Sequence, residues 1–445
     1  MTNPDAERHK IVIVGGGAGG LELATRLGDK LGKHKLADIT LVDGSLTHLW
    51  KPLLHEVAAG SLNSSDDELS YLAQANWHNF RFRLGTVNEV NRETKTISTL
   101  PTLDMEGKEY IPTRQFHYDT LILSVGSISN DFNIEGVKEH CHYIDQQKQA
   151  DAFHQHLLRS CYTAHAQNQA SSDTQLHIAI AGAGATGVEL AAELYDSTRQ
   201  LIKFGLDNIN AEKDLKITII EASDRILPGL PPHLSASVAG ELRAIGIDIL
   251  TNERIVSATE DCFTTASGKT IKAGIKVWAA GIKAPKFLTE IEGLETNRIN
   301  QLLVTPSLQT TRDENIFALG DCAACPMPGT DNTVPPRAQA AHQQASMLVK
   351  SMKLRLQDKT ELPHYTYVDY GSLINMSRYS TVGSLMGNVM KLWSQSVFVE
   401  GILARIVYLS LYKMHQVALH GYTRTALTTI ANIITRRSKP RMKLH

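Results

Sequence analysis

The chain has 445 residues, of which 42% are apolar and 20% charged, a composition that excludes intrinsic disorder and predicts more than one domain. Its net charge of −1 hides an asymmetry, because residues 401–445 hold eight basic and no acidic residues, which leaves 37 basic against 46 acidic residues, or −9, in the first 400. This cationic end indicates an acidic partner surface such as a membrane leaflet. The five cysteines are scattered, so we expect no disulfide framework, and a reducing compartment is favoured. The N-terminus has no apolar core, so no secretory signal is expected.

The first strong motif is a glycine-rich turn near the N-terminus. His9–Val14 predicts a buried strand, the turn Gly15-Gly16-Gly17-Ala18-Gly19-Gly20 follows, and a helical pattern comes next. Three glycines serve the tight turn, the approach of a pyrophosphate and close helix packing, and these are Gly15, Gly17 and Gly20. Ile39–Val42 predicts the next strand, and Asp43 at its end is placed to bind a ribose diol.

The same motif occurs a second time. Leu176–Ala181 predicts a strand, and it is followed by Gly182-Ala183-Gly184-Ala185-Thr186-Gly187 and another helix. Lys216–Ile220 predicts the next strand, which ends at Glu221, and Gly205–Leu215 reads as a loop inserted after the helix. One such turn is a weak signal, but two copies, each between a strand and a helix and each closed by an acid, predict two dinucleotide sites.

The acid of the second site favours NADH over NADPH. Glu221 would repel a 2′-phosphate, although Arg225, four residues later, would soften that preference. The helix N-termini offer free N–H groups and a positive dipole end to the phosphates at both sites.

Two further buried strands end in glycine or acid, and a cysteine pair follows one of them. Tyr118–Gly126 is the first, and Asn315–Asp321 is the second. Cys322-Ala323-Ala324-Cys325 then comes at once. A redox dithiol is one interpretation of this pair and small buried residues are the other; because no second CxxC or paired histidine appears, no metal site is expected.

The C-terminal segment predicts two amphipathic helices that Gly421 separates. The uncharged stretch Thr425–Thr435 is too short to span a bilayer, so the helices would lie in the membrane interface and no path for proton pumping is expected. Packing on the body of the protein, or a homodimer interface, is the alternative use of the same apolar faces. No nucleic-acid partner is expected.

These motifs together resemble the two-dinucleotide-binding flavoprotein superfamily. The resemblance implies that the first turn holds FAD, with Asp43 at the adenosine ribose, Asp321 at the ribityl chain and Gly126 near the phosphates. The second turn would hold NADH, beside a strand and turn at Val277–Gly281. The disulfide reductases of this superfamily carry their cysteine pair after the first strand–helix unit, where this chain has none.

Within the superfamily the chain resembles the bacterial type II NADH:quinone oxidoreductases over essentially its full length. Three segments carry the resemblance: His48–Ala58, with the sequence HLWKPLLHEVA, Ala338–Gln343, which matches an AQxAxQ quinone motif, and the ending from Tyr408 to His445. The implied reaction passes hydride from NADH to non-covalent FAD and then two electrons to a membrane quinone of the respiratory chain. The implied location is the cytoplasmic face of the bacterial inner membrane, with peripheral attachment.

The resemblance assigns site residues by position. The residues assigned to FAD are Gly15, Gly17, Gly20, Asp43, Lys51, Gly126, Asp321 and Ala338. The residues assigned to NADH are Gly182, Gly184, Gly187, Glu221, Ala280 and Gly281. Gln339 and Gln343 are assigned to the quinone, and the Gln339 amide, with donor and acceptor, would bond the quinone carbonyl. The alternative for Gln339 is a packing role at the start of a helix.

Glu189, two residues after Gly187, is the family's candidate for proton delivery or for coupling nicotinamide to quinone. A competing interpretation is that a carboxylate in the first helical turn is favoured by the helix dipole. Glu22 holds the same relative place in the first repeat. Both interpretations remain open from sequence.

The expected fold class is α/β, with two Rossmann-like dinucleotide-binding domains and a C-terminal amphipathic helical membrane-anchoring segment. The predicted domains are 1–150 with 291–380 for FAD, 174–290 for NADH, and 384–445 for the membrane. Two other functions are weighed against the quinone reductase. A disulfide or sulfide reductase lacks the required cysteines, and an NADH-dependent redox sensor of the apoptosis-inducing-factor type would need neither the quinone motif nor a lipid-binding tail.

Overall fold

The computed structural model describes residues 8–104, 106–166, 176–377, 380–385 and 397–435. The chain divides into two compact units of discontinuous segments. The first unit comprises Met1–Trp50, Glu68–Ile128 and Ile282–Asp369, and the second comprises Lys51–Asp67, Ser129–Gly281 and Tyr370–His445. Residues 51–67, 129–150 and 370–380, which the sequence assigned to the FAD domain, fall in the second unit, and residues 282–290, which it assigned to the NADH domain, fall in the first. The assignment of one domain to each cofactor stays a prediction.

The core of the first unit is a six-stranded sheet. Its spatial order is Gln309–Thr310, Asp313–Ala318, Thr120–Leu123, His9–Val14, Ala37–Asp43 and Arg81–Leu84. All neighbours are parallel except the first pair. The strand His9–Val14 is predicted correctly at both bounds, and its last four residues, Ile11–Val14, are apolar and buried because a parallel sheet is covered on both faces.

Helices follow and flank this sheet. Ala18–Leu27 leads directly into the π-helical turn Gly28–Gly32, and it packs along the helix Ala338–Arg355. The shorter helices of this unit are Tyr71–Trp77 and the 3₁₀ turns Lys286–Glu290 and Gly320–Cys322. Its other strands are Thr47–His48, Leu69–Ser70, Val87–Asn91, Thr96–Thr99, Thr102–Leu103, Glu109–Ile111, Gln115–His117, Leu302–Leu303 and Ala323–Ala324. The strands Ile128–Ser129 and Ile282–Lys283 lie at the ends of unit segments.

The second unit contains a four-stranded parallel sheet in the order Ile247–Leu250, Lys216–Ile220, His177–Ala181 and Ile275–Trp278. The predicted strand Lys216–Ile220 is confirmed at both bounds. The preceding helix, Ala185–Lys203, ends thirteen residues earlier, so the inserted loop at Gly205–Leu215 is also confirmed. An antiparallel sheet of Ile255–Ala258, Cys262–Thr265 and Thr270–Lys272 completes this part.

The remaining helices of the second unit are Lys51–Leu53 (3₁₀), Leu54–Ala59, Ser64–Asp67, Val137–His140, Gln147–Ala166 and Pro232–Ala244. Near its end the chain forms the antiparallel strands Ser372–Met376, Ser380–Leu385 and Val397–Glu400. A final helical segment, Gly401–Thr435, is broken at Gly421 (φ 76°, ψ 170°), as predicted. Across the described residues no helix has the length and apolarity needed to cross a membrane. Five of the tail's basic residues lie outside the described residues: Arg436, Arg437, Lys439, Arg441 and Lys443.

Candidate active site

The first glycine-rich turn, Gly15–Gly20 together with Asp43, is called the first cradle here. Gly15 has φ +97° and donates its N–H to the carbonyl of Val42 at 2.8 Å, a conformation that requires glycine. A Cβ at Gly20 would collide with the Gly15 carbonyl, so the helix packs as closely as the motif predicts. At Gly17, in contrast, a Cβ would meet no atom within 4 Å, which leaves room above the helix N-terminus for a phosphate group.

Asp43 holds the first cradle through Gly16. Its Oδ2 accepts the Gly16 N–H at 2.6 Å, and its Oδ1 accepts the Ser45 N–H at 2.8 Å. Burial raises the pKa of Asp43, although the two backbone donors oppose that shift. The carbonyl of Gly16 in turn accepts hydrogen bonds from the Tyr71 hydroxyl (2.7 Å) and from Nδ1 of His48 (2.9 Å).

Neither Tyr71 nor His48 had a role that was predicted from the sequence. Burial lowers the pKa of His48 to about 4, so the ring is neutral and carries its proton on Nδ1, the nitrogen that faces a carbonyl oxygen. His48 lies in the family segment His48–Ala58, and its place in that segment was the one sequence feature that could have pointed to a role at this site. Tyr71 lies outside every recognised motif.

The two strands beside the first cradle bring Gly126 and Asp321 to the same edge of the sheet. Thr120–Leu123 pairs with His9–Val14 on one side and with Asp313–Ala318 on the other. The Asp321 carboxylate accepts a hydrogen bond from Ser127 Oγ at 2.7 Å. Gly126 has φ +68°, and a Cβ there would meet no atom within 4 Å.

The second turn, Gly182–Gly187 together with Glu221, is the second cradle, and it repeats the first position by position. Gly182 also has φ +97° and donates to the Ile220 carbonyl at 2.8 Å. Glu221 accepts the Ala183 N–H at 2.7 Å and the Ser223 N–H at 2.8 Å, as Asp43 does with Gly16 and Ser45. A Cβ at Gly187 would collide with the Gly182 carbonyl, and one at Gly184 would meet nothing within 4 Å.

The strand Ile275–Trp278 brings Ala280 to the second cradle. A Cβ at Gly182 would lie 2.7 Å from the Ala280 Cα, and Gly281 follows with φ +72°. The guanidinium of Arg225 donates to the Pro228 carbonyl at 3.1 Å and lies 3.6 Å from Asp224. Arg225 is therefore engaged locally in this conformation.

Glu189 is buried in the second unit, and it is the fifth residue of the helix Ala185–Lys203. The first turn of that helix contains no acidic residue, so the interpretation of Glu189 as a first-turn carboxylate favoured by the dipole is wrong. Its Oε1 accepts the N–H of Asn375 at 3.0 Å. Burial raises the pKa of Glu189 to about 8; the Asn375 N–H opposes this, and the nearby carboxylates of Glu56 and Glu193 add to it.

His55 lies beside Glu189. Its Nδ1 is 3.9 Å from Glu189 Oε2, and its Nε2 is 4.0 Å from Glu56 Oε1. Burial lowers the pKa of His55 to about 4, and its buried Nε2 has no hydrogen-bond partner among the described residues. At neutral pH the pair is therefore a neutral carboxylic acid beside a neutral imidazole.

The predicted quinone residues lie on the helix Ala338–Arg355 in the first unit. Gln339 donates its amide to the Tyr367 hydroxyl (3.0 Å) and to Asp369 Oδ1 (3.2 Å). Gln343 donates to the Val368 carbonyl at 2.8 Å, and its Oε1 accepts from the Val368 N–H and the Tyr365 hydroxyl at 3.1 Å each. Gln343 thus fastens the segment 365–368 to the helix, a role that its sequence position did not suggest.

Two other residues assigned to FAD differ in their placement. Ala338 begins the same helix as Gln339, in the first unit with both Asp43 and Asp321. Lys51 belongs to the second unit, where it begins the 3₁₀ turn Lys51–Leu53.

Comparison with known proteins identifies the family. A sequence profile described as pyridine nucleotide-disulphide oxidoreductase matches residues 9–345. A type II NADH:quinone oxidoreductase of Haemophilus influenzae is 43% identical over 448 aligned positions, covering 98% of this chain and 99% of that protein. The chain belongs to the type II NADH:quinone oxidoreductases.

A more distant relative and a solved structure are also similar to this chain. The Staphylococcus aureus enzyme of the same name is 28% identical, over 86% of this chain and 90% of its own length. The fold matches the structure of NDH2 from Plasmodium falciparum in complex with NADH, with a TM-score of 0.81 and 19% identity, over 98% of this chain and all of that one.

Cys322 and Cys325 are buried in this family member. All five cysteines are free thiols, and burial raises the pKa of Cys322 and of Cys325 to about 11. The thiol of Cys322 contacts the backbone carbonyls of Leu123 and Leu319. These features fit the interpretation of small buried residues. Among the described residues no group of three or more His, Cys, Asp or Glu side chains is arranged to hold a metal ion.

Proposed function

We propose that this chain oxidises NADH with FAD as its resident cofactor and delivers the electrons to a membrane quinone. The observation that carries the proposal is the pair of matching cradles, each closed by a carboxylate that receives a backbone N–H. Two dinucleotides in one chain fit hydride transfer between a nicotinamide and a flavin, and membership of the type II NADH:quinone oxidoreductases supplies the acceptor. A redox sensor of the apoptosis-inducing-factor type is not supported by these relatives.

The residues of the first cradle fit FAD. Open space at Gly17 suits a pyrophosphate, and the Asp321 carboxylate at the same sheet edge suits a hydroxylated chain. The second cradle would hold NADH, with open space at Gly184 and with Glu221 disfavouring a 2′-phosphate. The other FAD residues, Lys51 and Ala338 among them, and the other NADH residues, including Ala280 and Gly281, follow by family position.

When bound, FAD would supply the redox chemistry that links a hydride donor to a two-electron acceptor. Formation of a hydroquinone needs one proton in addition to the hydrogen that NADH gives up as hydride, so the chain must supply a proton source. Glu189 suits that role, since a carboxylic acid with a pKa of about 8 holds a transferable proton at neutral pH. Gln339 would contact the quinone by family position, and Gln343, whose amide binds Val368 and Tyr365, would hold the segment beside it.

The C-terminal helices would bind the membrane surface. Three large apolar side chains of the second helix recur at helical spacing and are more than half exposed: Leu427 (68%), Ile430 (56%) and Ile434 (69%). Exposed apolar side chains at such spacing, in a segment with basic residues and no acidic ones, are typical of helices in the bilayer interface. We place the protein on the cytoplasmic face of the bacterial inner membrane. A second copy of the chain is the other candidate to cover the exposed apolar face of this helix.

The test is a turnover assay on the purified full chain. Flavin absorbance should accompany the protein, and NADH oxidation should accelerate severalfold or more when a short-chain quinone is added. If the protein is yellow but its rate of NADH oxidation does not change when the quinone is added, the redox sensor is supported instead. A colourless protein that takes up no flavin would refute both.

A further inference from the structure

Glu189 is shielded from solvent, yet a residue that donates a proton has to regain one before it can act again. Its side chain is 11% exposed, and its Oε1 accepts the N–H of Asn375 at 3.0 Å. The other carboxyl oxygen, Oε2, lies 3.9 Å from Nδ1 of His55. A proton that reaches Glu189 on the Oε2 side can therefore come from the imidazole ring.

The surroundings of His55 determine which of its nitrogens carries the proton. The Pro52 carbonyl forms a hydrogen bond with the ring, and Nε2 has no hydrogen-bond partner within the described part of the chain, so the bond to Pro52 is made by Nδ1. A carbonyl oxygen can only accept a hydrogen bond. Because burial lowers the pKa of His55 to about 4, the ring is neutral at pH 7, with its proton on Nδ1 and a bare lone pair on Nε2.

The bare Nε2 of His55 faces a carboxylate that is closer to solvent. Glu56 Oε1 lies 4.0 Å from it, and the Glu56 side chain is 20% exposed, against 3% for His55. Leaving a buried acceptor without a partner destabilises a folded protein, so a native chain seldom keeps one that has no use. The order Glu56, His55, Glu189 connects a solvent-accessible acid to a buried one through both nitrogens of one ring.

The groups around this series favour the uptake of protons. Burial raises the pKa of Glu189 to about 8, and the carboxylates of Glu56 and Glu193 add to the shift. On the C-terminal helical segment, the Tyr412 hydroxyl donates to Asp67 at 3.2 Å. Burial raises the pKa of Tyr412, and Asp67 and Glu56 add to that shift as well. Neighbouring carboxylates of this kind stabilise a proton that enters among them.

We propose that His55 relays protons from Glu56 to Glu189, so that Glu189 is reloaded from solvent between turnovers. The O–H bond of the Glu56 carboxylic acid breaks as an N–H bond forms at Nε2, and the N–H bond at Nδ1 breaks as an O–H bond forms at Glu189 Oε2. Solvent then reprotonates Glu56, and tautomer exchange through water returns the ring proton to Nδ1, where the Pro52 carbonyl accepts it. Both gaps exceed a hydrogen bond by about 1 Å, so a small side-chain rotation precedes each transfer.

The inference rests on the proposed quinone reduction with Glu189 as the proton donor, and its test separates the first turnover from later ones. At pH 7 Glu189 is already protonated before mixing, so loss of the relay should spare the first turnover and slow those that follow. The full-length flavin-loaded protein is mixed with excess NADH and a short-chain quinone, and hydroquinone is measured by quenched flow. His55→Asn should give a burst of one hydroquinone per flavin and then a steady rate at least about tenfold below that of wild type.

Two variants carry this test. In His55→Asn the amide keeps an N–H for the Pro52 carbonyl but offers no second nitrogen to receive a proton. Glu56→Gln changes a partly exposed side chain, so it should fold as wild type does, and it should give the same burst and slow steady phase. The control is His142→Asn, at a histidine whose pKa burial also lowers to about 4 and whose ring bonds His156 at 2.7 Å; it should turn over as wild type does.

Ferricyanide accepts electrons without protons, so its reduction by NADH reports folding and flavin reduction separately from the relay. Hydroquinone formation that is slow from the first turnover would mean that His55 only holds Glu189 in place, and it overturns the inference. A steady rate equal to that of wild type in either His55→Asn or Glu56→Gln overturns it too. If wild type reduces ferricyanide but no quinone, the proposed function fails first, and that outcome is distinct from the others.

Discussion

Glu22 and Glu189 occupy the same position in the two repeats, the fifth residue of the helix that follows each cradle, yet their surroundings are opposite. Glu22 is fully buried and bound by Arg26, at 2.8 Å, and by Nδ1 of His342. Glu189 faces the carboxylates Glu56 and Glu193 and a neutral His55. The repeated sequence places a glutamate at both positions. Tertiary packing pairs Glu22 with the cation of Arg26, whereas it buries Glu189 without a cation and raises its pKa, so that Glu189 keeps its proton.

Replacing Glu189 by Gln should remove a proton donor without disturbing the NADH site. Because the pKa of Glu189 is about 8, the group is protonated below pH 8 and ionised above it. Wild-type quinone reduction should therefore fall as pH rises through about 8. Glu189→Gln should lower kcat by about a hundredfold, abolish that basic limb and change the KM for NADH less than about twofold. Steady-state assays between pH 6 and 10 measure all three.

The matched control for this prediction is Glu22→Gln, which alters the equivalent position of the other repeat. It should weaken folding, because Arg26 and His342 lose the carboxylate that both of them bind, but the basic limb should remain. If Glu189→Gln turns over at the wild-type rate with saturating quinone at every pH, Glu189 takes no part in the mechanism.

The same carboxyl should make stability depend on pH. Its pKa is raised from 4.5 to about 8 in the folded chain, so folding binds a proton that the unfolded chain releases above pH 4.5. The free energy of unfolding should accordingly decrease as pH rises from 4.5 through 8, by an amount on the order of 5 kcal/mol in full. Denaturant titrations at pH 6 and pH 9 should show the part of this decrease that lies above pH 6, about 3 kcal/mol in wild type, and a smaller decrease in Glu189→Gln. Equal decreases in both proteins would mean that Glu189 is not protonated at pH 6.

His55 should make stability depend on pH in the opposite direction and over a more acidic range. Its pKa falls from 6.5 to about 4, so the folded chain resists a proton that the unfolded chain takes up. Stability should be lost as pH falls from 6.5 toward 4, and His55→Asn should reduce that loss. Unfolding midpoints at pH 5 and pH 7 provide the comparison, and a loss of the same size in the variant would contradict the assignment.

Valine at the open glycine of each cradle should separate the two cofactors. Gly17 (φ −62°, ψ −171°) and Gly184 (φ −70°, ψ −177°) have backbone angles that valine tolerates, and a side chain at either would enter open space. Gly17→Val should purify folded but with at least tenfold less flavin. Gly184→Val should stay yellow while its KM for NADH rises tenfold or more.

Absorbance spectra, circular dichroism and NADH titration check this pair of variants. The opposite pattern, with flavin lost from Gly184→Val and retained by Gly17→Val, would reverse the assignment of the cradles.

Sequence reasoning located the cradles well because local signals specify them. The strand His9–Val14, the strand Lys216–Ile220 and the break at Gly421 follow from apolar runs and from glycine alone. It missed Asp369 and Tyr367, since residues 361–371 form neither helix nor strand and carry no periodic pattern. It also missed His55 as a partner of Glu189, because burial, which only the assembled unit creates, determines the charge state of both.

The buried cysteines should be dispensable for turnover. With the pKa of each thiol near 11, less than about one part in a thousand is thiolate at neutral pH. A Cys322→Ala, Cys325→Ala double variant should keep quinone reduction within about twofold of wild type, with a stability cost of about 1–3 kcal/mol from two small cavities. Turnover assays and denaturant titration measure both. A loss of activity above tenfold in the folded variant would restore a redox dithiol as an explanation.

The exposed face of the last helix should control membrane binding. Changing Leu427, Ile430 and Ile434 together to Ser should leave folding intact, because each is more than half exposed. Membrane insertion of three such side chains contributes at least about 3 kcal/mol, so vesicle partitioning should drop about a hundredfold or more. Flotation with anionic vesicles measures the change.

The control for the membrane prediction is Leu103→Ser, at an exposed leucine of the first unit (54% exposed), which should bind vesicles as wild type does. Undiminished flotation of the triple variant, together with a switch from dimer to monomer in solution, would assign the face to a second copy of the chain.

The hydrogen bonds from Gly16 to Asp43 and from Ala183 to Glu221 have a kinetic consequence. Each turn is already ordered by its own carboxylate, so an arriving nucleotide does not have to organise the loop that receives it. Little conformational entropy is then lost on association, and little has to be regained on departure. For a tightly retained prosthetic group, less of the binding free energy is then lost to ordering the loop. For a co-substrate that must leave after every hydride transfer, a loop that is already ordered permits rapid exchange.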